Sequence, residues 1–390
     1  MKNTNHSKIG VLQFTHPGGE HSAGTKLPNT KFYIKQWNYK FTKSAETHPH
    51  SRKYIRINGK YICDEQQPAR SGSVDFWGEW EPNSISEKLS RIEDKDPRKY
   101  PENIAYPIFI ENTTESARSN DKIIEVVNSV KEMDRNNIKN DCVKDKIDQD
   151  NKNNLQNTDP FVFGDHFYYT CCKQEKAKHL KEGSVILFGT CYGESKDRET
   201  AYYAIDTVFV IKEIIPYDAS TLERTLKRFE KSKSKSERLY YNTVLKYVFR
   251  RHDGSIIKSI DPKYQFDIII GASFDDPYIY NGQKMYSFFP CHESSNQPKE
   301  RLSIVQNSGY NKKINSILDQ ELGHSMTCAV KNIVQDDIDK TYEVWNSIKN
   351  YALNKRYYLG IKTELPRKLC LDEIHNYLDE IQNKDKTLIK

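Results

Sequence analysis

The sequence lacks any apolar run of 18 or more residues, and its charged, Asn-rich start has no hydrophobic stretch of the kind found in signal peptides. Its hydrophobic fraction is only 36%, although its charged fraction of 29% is ordinary, so neutral polar residues replace apolar ones. These absences argue against a membrane or secreted protein. We therefore expect a cytoplasmic protein with long polar loops or insertions.

Cysteine gives no sign of a disulfide framework or of a zinc site. The eight cysteines are scattered, and no two of them form a Cys-x-x-Cys pair. The adjacent Cys171 and Cys172 have no second ligand pair at a suitable spacing. We expect reduced, mostly buried thiols, and the sequence identifies no cofactor.

Aromatic residues, in contrast, are abundant. The chain holds 25 Tyr and 16 Phe, which predict an aromatic-rich core. The formal net charge of +6 is too small an excess over 390 residues to indicate nucleic acid by itself. The length fits two or three domains, or one large elaborated domain.

The hydrophobic pattern predicts an α+β fold rather than alternating βαβ units, with a mixed, mainly antiparallel β-barrel or sheet core, flanking helices and a polar insertion. The pattern divides the chain into four regions: 1–110 (strand-rich), 111–158 (polar insertion, helical at 121–134), 159–330 (β-core with a basic helical segment at 219–254) and 331–390 (C-terminal helices). We expect regions 1–110 and 159–330 either to be separate or to form one composite domain.

Local signals refine this outline. Asn58-Gly59 predicts a two-residue hairpin turn, because both residues tolerate positive φ. The long β-branched and aromatic runs at 183–189 and 202–211 predict two central strands of one sheet. In the tail, helices are predicted over 337–353 and over 370–382, the second capped by Asp372.

The densest cluster of titratable groups follows the apolar run 9–14. His16, Glu20 and His21 surround Pro17-Gly18-Gly19, which would break a helix, so the helical zinc motif H-x-x-E-H is rejected. In a loop after a strand, the glycines would let backbone N–H groups approach an anion while the side chains serve as acid, base or anion partner. The alternative is a surface turn that happens to contain histidine.

A second cluster places His48 and His50 beside Arg52 and Lys53, just before a predicted strand. Such a positive site suits phosphate, since Arg can contact it through two N–H groups. A solvated basic loop explains it equally simply.

Two indoles and two carboxylates occur within residues 77–81. In a strand, Trp77 and Glu79 share one face, whereas Trp80 lies on the other. An indole beside a carboxylate suits a pocket that stacks a base and accepts from its amino groups. Core packing at a strand end is the alternative.

Residues 156–166 lead into the next β run. Asn157 and Asp159 could contact a ligand, and either Asp159 or Asp165 could form an acid/base pair with His166. The same residues make an ordinary turn.

The stretch 222–254 is basic and helical, with ten Lys or Arg against four acidic residues. It predicts either a track for a nucleic-acid backbone or a solvated amphipathic helix.

Residues 181–188 and 204–211 resemble the core hairpin of PUA-like barrels, the group that includes ASCH and EVE domains. In the resembling segment, 181–215, Ser184 stands where those domains have an acidic residue. The resemblance implies a small β-barrel that binds modified bases, RNA or a nucleotide in a cleft lined by aromatic residues between Phe161 and Tyr169. The N-terminal region resembles bacterial and phage proteins associated with nucleotide modification.

We therefore expect recognition of nucleic acid or a nucleotide, with acid/base chemistry by His16, Glu20 and His21 on a phosphoester or glycosidic bond. One alternative is a non-enzymatic reader of modified bases or RNA. The other is a metal-dependent hydrolase, with these residues and His48 or His50 as ligands.

Overall fold

The computed structural model describes fifteen stretches of the chain, and the helix predicted at 121–134 lies outside them. The described residues are 8–15, 25–26, 31–35, 52–80, 82, 84–89, 99–109, 158–170, 177, 179–192, 201–218, 220–249, 267–323, 330–369 and 373–388.

The described chain is rich in strands. In chain order they are β1 (Gly10–Thr15), β2 (Thr25–Lys26), β3 (Phe32–Lys35), β4 (Lys53–Ile62), β5 (Arg70–Gly78), β6 (Ser84–Lys88), β7 (Asn103–Phe109), β8 (Tyr168–Thr170), β9 (Val185–Tyr192), β10 (Tyr202–Pro216), β11 (Asp267–Gly271), β12 (Tyr278–Tyr280), β13 (Gln283–Met285), β14 (Phe289–Glu293), β15 (Ser303–Val305), β16 (Val330–Gln335), β17 (Tyr358–Thr363) and β18 (Arg367–Lys368).

A seven-stranded sheet has the order β16-β1-β9-β10-β11-β8, with β15 paired to β10. Only β1 and β9 run parallel in it. The pairing of β9 with β10 confirms the two predicted central strands. Their buried side chains cover both faces, which is why both read as nearly continuous apolar runs.

The second large sheet closes on itself. Strands β17, β14, β5 and β4 pair in that order, and β4 pairs again with β17, so four antiparallel strands form a closed barrel. The sheet extends from β4 through β7, β6 and β3 to β2. The predicted α+β class with a mainly antiparallel barrel or sheet core is confirmed at this level.

The hairpin predicted at Asn58-Gly59 is wrong, because β4 continues through both residues. Gly59 pairs with Gly72 of β5 on one side and with Thr363 of β17 on the other. A Cβ atom on Gly59 would lie 2.6 Å from the backbone oxygen of Lys362. The glycine therefore serves a close approach of strands in the barrel rather than a turn.

The helices are α1 (Leu222–Glu230), α2 (Lys235–Tyr240), a π-helical turn (Tyr241–Leu245), α3 (Lys246–Phe249), α4 (Gly309–Leu318), α5 (Ile338–Asn354) and α6 (Glu373–Leu388). They confirm the helical pattern of the basic segment, with a break at 231–234, and both predicted tail helices; Asp372 lies outside the described residues. Within the described residues, the helices are too short or too polar to cross a membrane.

The largest core cluster is aromatic, as predicted. Trp80 packs edge-on against Phe163, with ring centres 4.7 Å apart, and Tyr168 stacks on Tyr240 at 4.7 Å. Among the described cysteines, Cys191 and Cys291 are buried and Cys63 is half-buried, and none of the three is in a disulfide.

Candidate functional site

Arg52, the residue directly before β4, lies in the interior between the two large sheets. Its side chain is fully buried, as is that of Glu79, which follows the end of β5. Nη1 of Arg52 donates to Oε2 of Glu79 at 2.9 Å and to the backbone oxygen of Asp159 at 3.4 Å. Residues from three separate predicted segments therefore meet at one place.

The seven-stranded sheet supplies the other half of this site. Nε of Arg52 lies 3.1 Å from Oδ2 of Asp206 in β10. Arg301, just before β15, donates from Nε to Oδ1 of Asp206 at 2.7 Å and from Nη2 to its Oδ2. Nη2 of Arg301 also donates to the hydroxyl of Thr190 at 2.9 Å. We call Arg52, Glu79, Asp206 and Arg301 the arginine–carboxylate network.

A β-bulge places Asp206 in the network. Ile205 pairs with Gly189 and Thr207 pairs with Phe188, so Asp206 is the extra residue between two pairs. A Cβ on Gly189 would lie 2.0 Å from the backbone oxygen of Ala204, so the bulge needs glycine opposite it. Bulges redirect side chains and are common beside functional sites.

The two tryptophans lie on opposite sides, as their spacing predicted. Trp80 is fully buried in the main aromatic cluster with Phe76, whereas Trp77 packs with Tyr54 in another cluster. The guanidinium carbon of Arg301 lies 4.8 Å from the centre of the Trp77 ring. Trp77 is therefore the indole that borders the network.

Lys53 is buried beside the network and is used within the protein. Its ammonium group donates to the backbone oxygen of Trp80 and to the hydroxyl of Ser84, the latter at 3.3 Å. Its neighbours in the predicted basic cluster, His48 and His50, lie outside the described residues.

Asp159 is fully buried, and its Oδ1 accepts from the backbone N–H of Thr170 at 3.5 Å. Asp165 instead forms an exposed ion pair with Lys362. The two predicted partners of His166 thus lie in different environments, one inside the protein and one at its surface. Asn157 lies outside the described residues.

His16, Glu20 and His21 also lie outside the described residues. Strand β1, which leads into that segment, ends at Thr15, and Thr15 pairs with Gly189. Gly189 adjoins Thr190, an acceptor for Arg301. Within the described part of the chain, no group of three or more His, Cys, Asp or Glu side chains could hold a metal ion.

The network balances two positive against two negative charges in a region without solvent contact. Removing ions from water costs several kcal/mol each, so burial of four charges adds less to stability than its contacts suggest. Nearby, burial raises the pKa of the Tyr203 hydroxyl well above its usual value, and the Cys191 thiol and Asp206 reinforce the shift. The neutral phenol donates to the backbone oxygen of Leu187 at 2.6 Å.

Asp206 and Arg301 are the network residues that sequence reasoning missed, together with Thr190, which accepts from Arg301. Asp206 is the only acidic residue in the apolar run 201–211, and a lone carboxylate in a buried strand is a signal in itself. Arg301 has no such signal, since it lies in a polar segment about 95 residues further on.

Searches of protein-family models, curated proteins and solved structures gave no match to this chain.

Proposed function

We propose that this protein recognises nucleic acid or a nucleotide, with the arginine–carboxylate network as the base of its binding site. The observation that carries the proposal is Nη2 of Arg52, a fully buried N–H donor group that has no hydrogen-bond acceptor among the described residues. A buried donor left unpaired costs about 1 to 3 kcal/mol, more when charged, unless a ligand or water satisfies it. An anionic phosphate oxygen is the acceptor that suits guanidinium best.

Trp77 adds a second argument for a nucleotide. Its indole N–H is also buried without an acceptor in the described part of the chain. An aromatic ring beside a guanidinium group with a remaining N–H donor provides the combination that nucleotides need, an apolar face for the base and a donor for the phosphate. The PUA-like fold that we propose for the core rests on residues 181–215, which form β9 and β10 of the seven-stranded sheet and not the closed four-stranded barrel.

The position of β1 supports a catalytic extension of this proposal. Thr15, the last residue of β1, pairs with Gly189, which adjoins Thr190, the acceptor for Arg301, and His16, Glu20 and His21 come next in the sequence. In this proposal they move protons during cleavage of a phosphoester or glycosidic bond, while the arginines bind phosphate. The non-enzymatic reader uses the same binding groups without these proton transfers.

Binding is tested with the full chain, using a mononucleotide and labelled single- and double-stranded oligonucleotides as probes. Trp77→Phe keeps an aromatic ring but removes the indole N–H, and we expect it to weaken binding by about tenfold, the effect of losing one hydrogen bond to a charged group. Trp345→Phe is the matched control, because that buried indole donates to the backbone oxygen of Tyr286 in another cluster. If wild type binds none of the probes, the proposal is wrong.

A turnover assay distinguishes the enzyme from the non-enzymatic reader. His16→Ala and Glu20→Ala should abolish cleavage of an oligonucleotide or nucleotide while leaving its binding within a few-fold of wild type. If wild type binds and cleaves nothing, the reader version stands and the enzyme version is rejected.

A further inference from the structure

The turn between α1 and α2 presents a row of positive charge. Residues 231–235 alternate lysine with serine, and we call them the lysine tip. Lys231, Lys233 and Lys235 are exposed, whereas Ser232 and Ser234 are half-buried and the next serine, Ser236, is buried.

The serines hold this turn in one conformation. Oγ of Ser232 accepts from the backbone N–H of Ser234 at 3.0 Å, and Oγ of Ser234 caps α2 by accepting from the N–H of Glu237 at 3.3 Å. Oγ of Ser236 accepts from the N–H of Asp165 at 3.0 Å. The inward serines leave the three lysines directed to solvent on a fixed frame.

The lysines of the tip have no ion-pair partner within the described residues. Elsewhere on α1, Lys227 pairs with Glu223 and Arg228 with Glu213. From residue 224 to 246 there are eight Lys or Arg against two acidic residues, Glu230 and Glu237. Lys231 caps the C-terminus of α1, where a cation favours the helix dipole, whereas Lys235 lies at the start of α2 and opposes its dipole, so helix stability does not account for Lys235.

A single hairpin, residues 159–170, connects the tip with the arginine–carboxylate network. At its turn, Asp165 donates its backbone N–H to Ser236. At its base, Thr170 bonds to the hydroxyl of Tyr240 from the same helical segment, and Asp159 accepts from Arg52. Residues 159 and 165 are at most about 20 Å apart along an extended chain, which corresponds to about six steps of 3.4 Å in a nucleic-acid strand.

We propose that the lysine tip binds the phosphate backbone of a polynucleotide whose recognised nucleotide lies at the network. This inference rests on the proposed function and narrows it: the ligand is a strand of several nucleotides rather than a free nucleotide. The tip contributes affinity without base specificity, because phosphate contacts carry no sequence information.

The test compares the triple variant Lys231→Ser/Lys233→Ser/Lys235→Ser with a control of equal charge change, Lys284→Ser/Lys312→Ser/Lys313→Ser. The control lysines are exposed and lie away from the tip on β13 and α4. Binding of a mononucleotide, of oligonucleotides of increasing length and of one long strand at several salt concentrations is measured for wild type and both variants.

We expect the tip variant to bind the mononucleotide as wild type does and to lose about tenfold in oligonucleotide affinity per phosphate contact at about 50 mM salt, with a salt slope shallower by about 2 to 3. The control should keep most of the wild-type slope. Equal losses in both variants, or none in either, would overturn the role of the tip while leaving the proposed function intact. Failure of wild type to bind any probe would instead refute the proposed function.

Discussion

Asp206 and Arg301 form a two-point ion pair in the protein interior: Nε of the arginine donates to Oδ1 at 2.7 Å while Nη2 donates to Oδ2. Both side chains are almost completely buried. Because Asp206 also faces Arg52, one carboxylate holds two guanidinium groups from different sheets. The contact between Asp206 and Arg52 therefore joins the seven-stranded sheet to the barrel sheet.

Removing the carboxylate that Asp206 shares between the two arginines should destabilise the protein. Asp206→Asn would leave two buried guanidinium groups facing a neutral amide, and we expect it to lower the free energy of unfolding by about 3 to 5 kcal/mol. Urea denaturation measures the loss. Asp276→Asn is the control, since its ion pair with Lys212 is exposed and should contribute about 1 kcal/mol or less. Similar losses for both variants would contradict the role given to Asp206.

Because a backbone approaches Gly59 closely, we expect a contrast between Gly59 and Gly72, which pair across β4 and β5. Gly59→Ala would press a methyl group against the backbone of β17, and should destabilise the protein by about 1 to 3 kcal/mol. In Gly72→Ala the nearest atom to the new methyl is the Tyr61 hydroxyl at 3.6 Å, an ordinary contact. Thermal unfolding should therefore separate the variants, and equal midpoints would show that no close approach is required at Gly59.

Gln13 of β1 takes the place of a backbone partner for Gly323. Its Nε2 donates to the Gly323 oxygen at 2.7 Å, and its Oε1 accepts from the Gly323 N–H at 2.8 Å. Gln13→Leu should cost about 1 to 3 kcal/mol of unfolding free energy, because it removes both partners. The exposed Gln283, changed to Leu, should have little effect in the same denaturation experiment. If Gln13→Leu left the free energy of unfolding unchanged, water would have to replace the amide as the hydrogen-bond partner of Gly323.

His292 should make the protein sensitive to mild acid. Burial, reinforced by Lys299, lowers the pKa of His292 from 6.5 to about 4, so the unfolded chain takes up a proton before the folded one does. Stability is therefore complete above pH 6.5 and decreases as the pH falls toward 4. His292→Gln should reduce the difference in unfolding free energy between about pH 7 and pH 5, whereas the exposed His179→Gln should not.

Sequence patterns predicted the elements whose signal is local. The apolar runs of β9 and β10 and the periodic spacing of Leu222, Leu226 and Phe229 each follow from which side chains are buried. The hairpin prediction at Asn58-Gly59 was wrong because glycine permits a close backbone approach as readily as a turn. Only the pairing with the partner strand, β17, determines which of the two occurs. That partner lies about 300 residues away in the chain.

The candidate site was also predictable only in part, because its residues come from distant segments of the chain. Arg52 stands out because it follows two histidines and precedes a lysine, and Trp77 and Glu79 because indoles and carboxylates lie close together in the sequence. Asp159 stands out because it belongs to a polar segment that leads into a β run. That they meet depends on the docking of two sheets, which no local pattern encodes. Arg301 completes the network through tertiary contact alone.

Nucleic-acid binding is tested most directly by titrating the wild-type chain against a labelled oligonucleotide of about 20 nucleotides, at about 50 mM and about 200 mM salt. We expect saturable binding that weakens steeply with salt, because guanidinium and ammonium groups replace counterions on phosphate. No binding at about 50 mM salt with protein at about 100 μM, the weak limit of non-specific nucleic-acid affinity, would contradict it.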